Sequence, residues 1–310
     1  MIFAVWIPLI VPLLAVPAAR RAAEWLPPRA AAWTLAGFSV VLAGSSTAAL
    51  GLLASAGALR LPPVAALGHL SPPLLGDGSP VLVPASVLAA LALAAGAFAL
   101  VRTGLRQRRE LRAARAGAAA DELSVRADEL PYAYALPGRP GRIVVTTGML
   151  RALDAREREV LFAHERAHLA GRHHLFLAMA ELAVTLHPML RGLREPLAYA
   201  LERWADESAA TATGDRALTA RAIGRAALAA ARFPGAGSRP RTALAVTAGP
   251  VPRRVAALLT TSAAARPRRA LRRALAGALL VCAALSAGAV ADAAHDLHAG
   301  VEVAQGETGH

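Results

Sequence analysis

The 310-residue chain contains no lysine, so its formal charge of +13 rests on arginine alone. A basic balance built by residue usage is no argument for a nucleic-acid surface. Arginine at the cytoplasmic ends of membrane spans accounts for it, and no direct nucleic-acid binding is expected. The single cysteine, Cys282, excludes an intrachain disulfide and sits in an apolar run where packing is its expected role. Charge is scarce as well: 18% of residues are charged, 55% are hydrophobic, and the mean hydropathy is +0.43. Soluble domains of this length are rarely so apolar, so a membrane protein is expected.

What is present is a set of long apolar runs separated by arginine clusters. Residues 1–19 carry no charged side chain and reach about 28 Å as a helix, close to the hydrocarbon thickness. Arg20 and Arg21 follow this run rather than precede it, the reverse of a cleaved signal peptide, so a retained span is expected. Further spans are expected at 30–59, 81–101 and 271–291. Arg20, Arg21 and Arg29 separate the first two, Arg102 to Arg115 follow the third, and Arg266 to Arg273 lead into the fourth. The loop at 60–80 has one arginine, and the tail at 292–310 has none. The positive-inside rule then gives a multi-pass protein of the plasma membrane with both termini outside and residues 102–270 as one cytoplasmic domain.

Within that segment, "PYAYALPGRPGRIVVTTGML" reads as a β-hairpin about a Pro/Gly turn at 137–141, its second strand at Ile143–Thr147. Asp154 and Glu157 then have capping-box spacing at the start of a helix, and Gly171 suits its end. On this helix lies "HERAH". His164 and His168, four residues apart, share one face and can reach one ion, while Glu165 can take a proton from water made acidic by that ion. The pattern arises by chance in about one such chain in a hundred, so it points to zinc peptidase chemistry. A third ligand is expected from "ERWAD", where Glu202 and Asp206 lie one turn apart. Glu202 would complete the metal set and Asp206 would orient a histidine, with Glu207 as its rival about 100° around the helix. Glu195 lies too early for this pairing.

The apolar stretch 175–190 between these helices is short for a span and holds Glu181 and His187. If it crossed the bilayer, Glu202 and His168 would stand on opposite sides, so it is expected to turn back near His187-Pro188. His173 and His174, beyond Gly171, are unassigned between support of the site and interfacial polarity. His295, His298 and His310 in the tail are either a polar end or an external metal site.

The order of three spans, "HERAH", "ERWAD" and a fourth span resembles the beta-lactam-sensor and antirepressor membrane metallopeptidases of the BlaR/MecR type. More distantly, it is similar to gluzincin prenyl-protein endopeptidases. The resemblance implies a mainly α membrane protein with four transmembrane helices and a cytoplasmic α+β gluzincin-like domain containing a small sheet. It further implies Zn2+ on His164, His168 and Glu202, Glu165 as general base, and Asp206 in support. The implied activity is endopeptidase action on a cytoplasmic regulatory protein, such as a winged-helix repressor, or on the chain itself. "VPRRVAALL", 251–259, resembles a recurring segment of the family and is read as structural. By analogy, Ile143–Thr147 would offer a strand edge to an extended substrate. Sensors of this type carry a penicillin-binding domain with a Ser-x-x-Lys motif. A chain without lysine is not expected to sense beta-lactams by that chemistry. A silent signalling scaffold and a quality-control protease are the alternatives.

Overall fold

The computed structural model describes residues 2–67, 82–116, 121–233, 250–260 and 269–305. In chain order it has α1 (Ile2–Trp25), α2 (Pro28–Ala58), α3 (Pro62–Leu67) and α4 (Leu82–Ala116), followed by β1 (Leu123–Arg126), β2 (Ala133–Leu136) and β3 (Arg142–Thr146). Next come α5 (Thr147–Ala152), α6 (Ala155–Ala170), α7 (His173–Leu186), a 3-10 helix (Pro188–Leu193), α8 (Arg194–Thr213), α9 (Arg216–Ala231), α10 (Val251–Leu259) and α11 (Arg269–Ala304).

Three helices among the described residues are long and apolar enough to cross a membrane: Pro28–Ala58, Leu82–Ala116 and, inside α11, Arg272–Val303. They cover residues 30–58, 82–101 and 272–291 of the runs expected as the second, third and fourth spans. The first expected run forms most of α1, which is continuous through Pro8, Pro12 and Pro17. Large apolar side chains stand on the surface of α4, with Leu88 67% and Phe98 69% exposed, as suits a helix whose solvent is lipid. Ser39, Ser46 and Ser86 each donate to the carbonyl four residues earlier at 2.8 Å, satisfying their hydroxyls inside their own helix. A Cβ on Gly57 would collide with Ser86, so a small residue is what lets α2 and α4 approach here.

Two expectations need correction. The segment 292–310, expected as a tail beyond the fourth span, is helical where it is described: α11 continues to Ala304, favoured by alanine content and by His298 Nε2 lying 3.1 Å from Glu302 Oε1 one turn on. His310 and most of the 60–80 loop lie outside the described residues. The second correction concerns the sheet. β2 and β3 form the expected antiparallel hairpin, but β1 pairs with β3 in parallel on its other side, giving the order β1-β3-β2. β3 is therefore central and has no free edge, so Ile143–Thr147 offers none to a substrate.

The stretch 175–190 turns back as expected. α7 stops at Leu186, His187 is extended with φ −134°, and Pro188 starts the 3-10 helix that reverses the chain into α8. Two cores organise the rest. Met149, Leu161, Ile223 and Leu258 pack the sheet, α5, α6, α9 and α10 together. A second core joins Leu35 and Leu42 of α2 to Phe176 of α7 and to Leu193, Leu197 and Leu201. The helices expected to cross the membrane thus share an interior with α7 and α8.

Candidate metal centre

The centre is built where two buried helix stripes change from apolar to polar. On α6, the buried face runs Val160, Leu161, His164, Glu165, His168, following the helical period. The helix is started by a complete capping box: Glu157 N donates to Asp154 Oδ1 at 2.9 Å, and Asp154 N donates to Glu157 Oε2 at 3.0 Å. On α8, the buried face runs Leu197, Ala200, Leu201, Glu202, Ala205, Asp206, Ala209. The two stripes face each other, and the small residues at 200, 205 and 209 leave room for the rings of α6.

His164, His168 and Glu202 each turn one ligand atom inward, all within 4.8 Å of one another, and all three residues are buried. The two Nε2 atoms lie 3.0 Å apart. His168 Nε2 lies 3.5 Å from Glu202 Oε1, and His164 Nε2 lies 3.7 Å from Glu202 Oε2. The opposite nitrogens are engaged elsewhere: His164 Nδ1 faces Asp206 Oδ1 at 3.1 Å, and His168 Nδ1 shares a hydrogen bond of 2.7 Å with His173 Nδ1. With the Nδ1 protons directed to those partners, three electron-rich atoms converge in a place closed to water. Glu165, fully buried, follows the first of them.

Asp206, expected to orient one of the histidines, lies against His164. Glu207, the rival, instead reaches the surface and pairs with Arg216. The residue missed by sequence reasoning is Arg254 on α10. It is fully buried, donating from Nε to Asp206 Oδ2 at 2.7 Å and from Nη2 to Asp206 Oδ1 at 2.6 Å, with Nη1 2.7 Å from Glu202 Oε2. The segment read as structural supplies the counter-charge of the site. The available signal was periodicity: Arg254 stands four residues before Leu258, the other buried position of α10, so it occupies a core-facing place.

His173 was the second gap. Gly171 does not use left-handed freedom, since its φ is −76°. That conformation belongs to Arg172, at φ 49°. What requires glycine at 171 is proximity, because a Cβ there would strike the His173 ring. The ring then reaches His168 and packs against Trp204 at 4.6 Å between centroids, while His174 turns away from the centre.

Electrostatics tests whether this donor set suits a cation. Burial pushes the Glu202 carboxyl well above its ordinary range, with Asp206 and Glu165 adding to the rise and Arg254 opposing it. Burial also acts to raise Asp206, but Arg254 and His164 outweigh it and hold that carboxyl low. Burial keeps His164 and His168 neutral, lowering both, His168 strongly. His173 is lowered to about 3 for the same reason. Were Glu165, Glu202 and Asp206 all ionised against one guanidinium, two negative charges would stand in the interior, which one divalent cation would balance. Two neutral imidazoles and a carboxylate are also a donor set that suits zinc. The residues fit the ion.

A buried His-His-Glu group with a glutamate inside His-Glu-x-x-His defines the class as a gluzincin-type peptidase site. Consistent with this, residues 99–201 match peptidase family M48, whose members use zinc. The matched stretch takes in the sheet, α6, α7 and the first turns of α8, and it ends one residue before Glu202. His164, Glu165 and His168 thus stand within the similarity, while Glu202, Asp206 and Arg254 stand on geometry. Comparisons with curated proteins and with solved structures found no match.

Proposed function

We propose that this protein is a membrane-embedded zinc endopeptidase that cleaves a cytoplasmic regulatory protein, in the manner of the BlaR/MecR-type metallopeptidases it resembles. The observation that carries the reading is the convergence of His164, His168 and Glu202 from two helices, with Glu165 buried beside them. Zinc held by those three residues would polarise a peptide carbonyl and raise the acidity of water. The remaining work belongs to the chain. Glu165 accepts a proton on its carboxylate as general base and passes it to the leaving amine. Asp206 and His173 hold the Nδ1 atoms of His164 and His168, so both rings present Nε2 to the same point. Arg254 holds Asp206 ionised and opposes the rise of Glu202, and the apolar walls of α6 and α8 exclude bulk water.

The arginine distribution supports a cytoplasmic site, and the three apolar helices support the membrane setting. A regulatory substrate, such as a winged-helix repressor, follows from the resemblance. The test uses the full chain purified in detergent: metal per chain is measured, and cleavage of candidate repressors and of the chain itself is compared between wild type and Glu165→Gln. One zinc per chain with cleavage only by wild type is expected. A metal-free protein, or identical processing by both forms, overturns the reading in favour of a silent signalling scaffold. Indiscriminate cleavage of misfolded membrane proteins would replace the regulatory substrate with quality control.

A further inference from the structure

Beside the metal centre lies a cavity of about 640 Å³ that the chemistry above does not use. Its wall takes Arg112 and Arg115 from the end of α4, Arg139 from the β2–β3 turn, Arg172 from the junction of α6 and α7, and His174 from α7. Among the described residues, no acidic side chain lines it. Leu169, also in the wall, directly follows the ligand His168, and His174 directly follows its partner His173, so cavity and centre share the same turns of chain.

Four exposed guanidinium groups around one space concentrate positive charge there. Several exposed arginines elsewhere do pair with carboxylates: Arg106 lies 3.5 Å from Glu181, Arg225 lies 2.9 Å from Glu157, and Arg253 lies 3.3 Å from Glu24. Among the described residues, Arg112, Arg139 and Arg172 have no such partner, and Arg115 spends its Nε on the carbonyl of Pro137 at 2.9 Å. Glycine at 138 is what lets the Arg115 guanidinium lie across that turn, since a Cβ would collide with it. The half-buried His174 reports the resulting field: after burial, Arg172 and Arg115 are what lower it.

We infer that this cavity binds acidic side chains of the peptide substrate, a subsite selecting Asp and Glu a few residues from the cleaved bond. The inference rests on the peptidase reading for its role, but not for its ligand. Carboxylates pair with guanidinium forks bidentately, and several on one extended chain suit arginines drawn from three separate elements. A lipid headgroup suits them less. Arg102 marks the end of the apolar run of α4, and Arg112 to Arg115 lie about 15–20 Å farther along the helix, beyond a headgroup layer of roughly 5–8 Å.

The test is binding followed by cleavage, with full-length protein in detergent at constant ionic strength. A fluorescein-labelled peptide carrying an Asp-Asp-Glu run is compared by anisotropy with its Asn-Asn-Gln counterpart, on protein bearing Glu165→Gln. The acidic peptide is expected to bind about tenfold tighter or more. Arg139→Gln, and separately Arg172→Asn, which keeps a residue tolerant of the left-handed backbone, are expected to remove most of that advantage without weakening the neutral peptide. Arg139→Glu is expected to shift preference towards a peptide with arginine in place of the acidic run, which a merely unfolded variant would not do. Equal binding of the acidic and neutral peptides, or an advantage unchanged by these substitutions, overturns the inference. Arginine-dependent binding of inorganic phosphate or of phosphatidylglycerol vesicles, without peptide preference, overturns it in favour of a small-anion or lipid site. Acidic binding without cleavage by wild type would refute the peptidase reading and leave the subsite standing, whereas cleavage indifferent to acidic residues would do the reverse.

Discussion

Replacing Arg254 with methionine keeps most of the side-chain volume and removes one charge. What remains is Asp206 and Glu202, 1% and 0% exposed, without the guanidinium that lies 2.6–2.7 Å from their oxygens. Removing one partner of a buried ion pair typically costs about 3–5 kcal/mol, because the desolvated charge left behind has nothing to balance it. For a protein of this size that corresponds to a fall in Tm of roughly 10 °C. The neighbouring residue supplies the control. Arg253 is 64% exposed along its side chain and pairs with Glu24 at 3.3 Å, so Arg253→Met is expected to change stability by no more than about 0.5 kcal/mol. Thermal unfolding of both variants in the same detergent, with bound zinc measured on each, separates them. Combining Arg254→Met with Asp206→Asn should cost less than the sum of the two, by about 1–3 kcal/mol, since the second change removes the charge stranded by the first. If Arg254→Met melted with wild type and held its zinc, the charge balance argued for the centre would be wrong.

Other expectations follow from the same geometry. Glu165→Gln should retain zinc at one ion per chain while hydrolysis falls by about 10²–10⁴-fold, measured on any cleaved peptide. Asp206→Asn should weaken zinc about 10–100-fold in a competition titration with a chelator, because His164 Nδ1 loses its carboxylate. Gly171→Ala suits the φ of −76° but brings its Cβ 3.1 Å from the Ala167 carbonyl oxygen and displaces the His173 ring. It should weaken zinc in the wild-type background and have little further effect in a His173→Ala background. Gly57→Leu should push α2 from α4 at Ser86, lowering Tm in detergent, where Gly57→Ala does less harm.

The sequence disclosed what depends on local period and spacing. His164 and His168 are one helical turn apart, Asp154 and Glu157 form a cap, and His187-Pro188 ends a helix, and none of these needs knowledge of a distant partner. Glu202 and Asp206 were legible through the same turn spacing. Arg254 was not, because its role depends on a charge balance assembled from three helices, and only its place in the burial stripe of α10 hinted at it. The central position of β3 was hidden for a similar reason: a parallel partner twenty residues earlier leaves no turn signal. His173 and His174, adjacent in sequence, part company in space, one towards the metal ligands and the other towards the arginine cavity. Arg172 in the left-handed conformation sets that divergence, and arginine gives no hint that it will adopt it.

The interior common to α2, α7 and α8 has a consequence for any attempt to work with the catalytic segment alone. Leu193, Leu197 and Leu201, at most 2% exposed, lie in one core with Leu35 and Leu42, so excising residues 102–270 would turn those leucines towards water. At about 1.5–3 kcal/mol each, the loss is roughly 5–9 kcal/mol, comparable with the whole folding free energy of an ordinary domain. The helices that look like anchors are structural walls, and the helix carrying Glu202 leans on them. Clipping the chain between α2 and α8 would not release an intact metal centre; it would dismantle one.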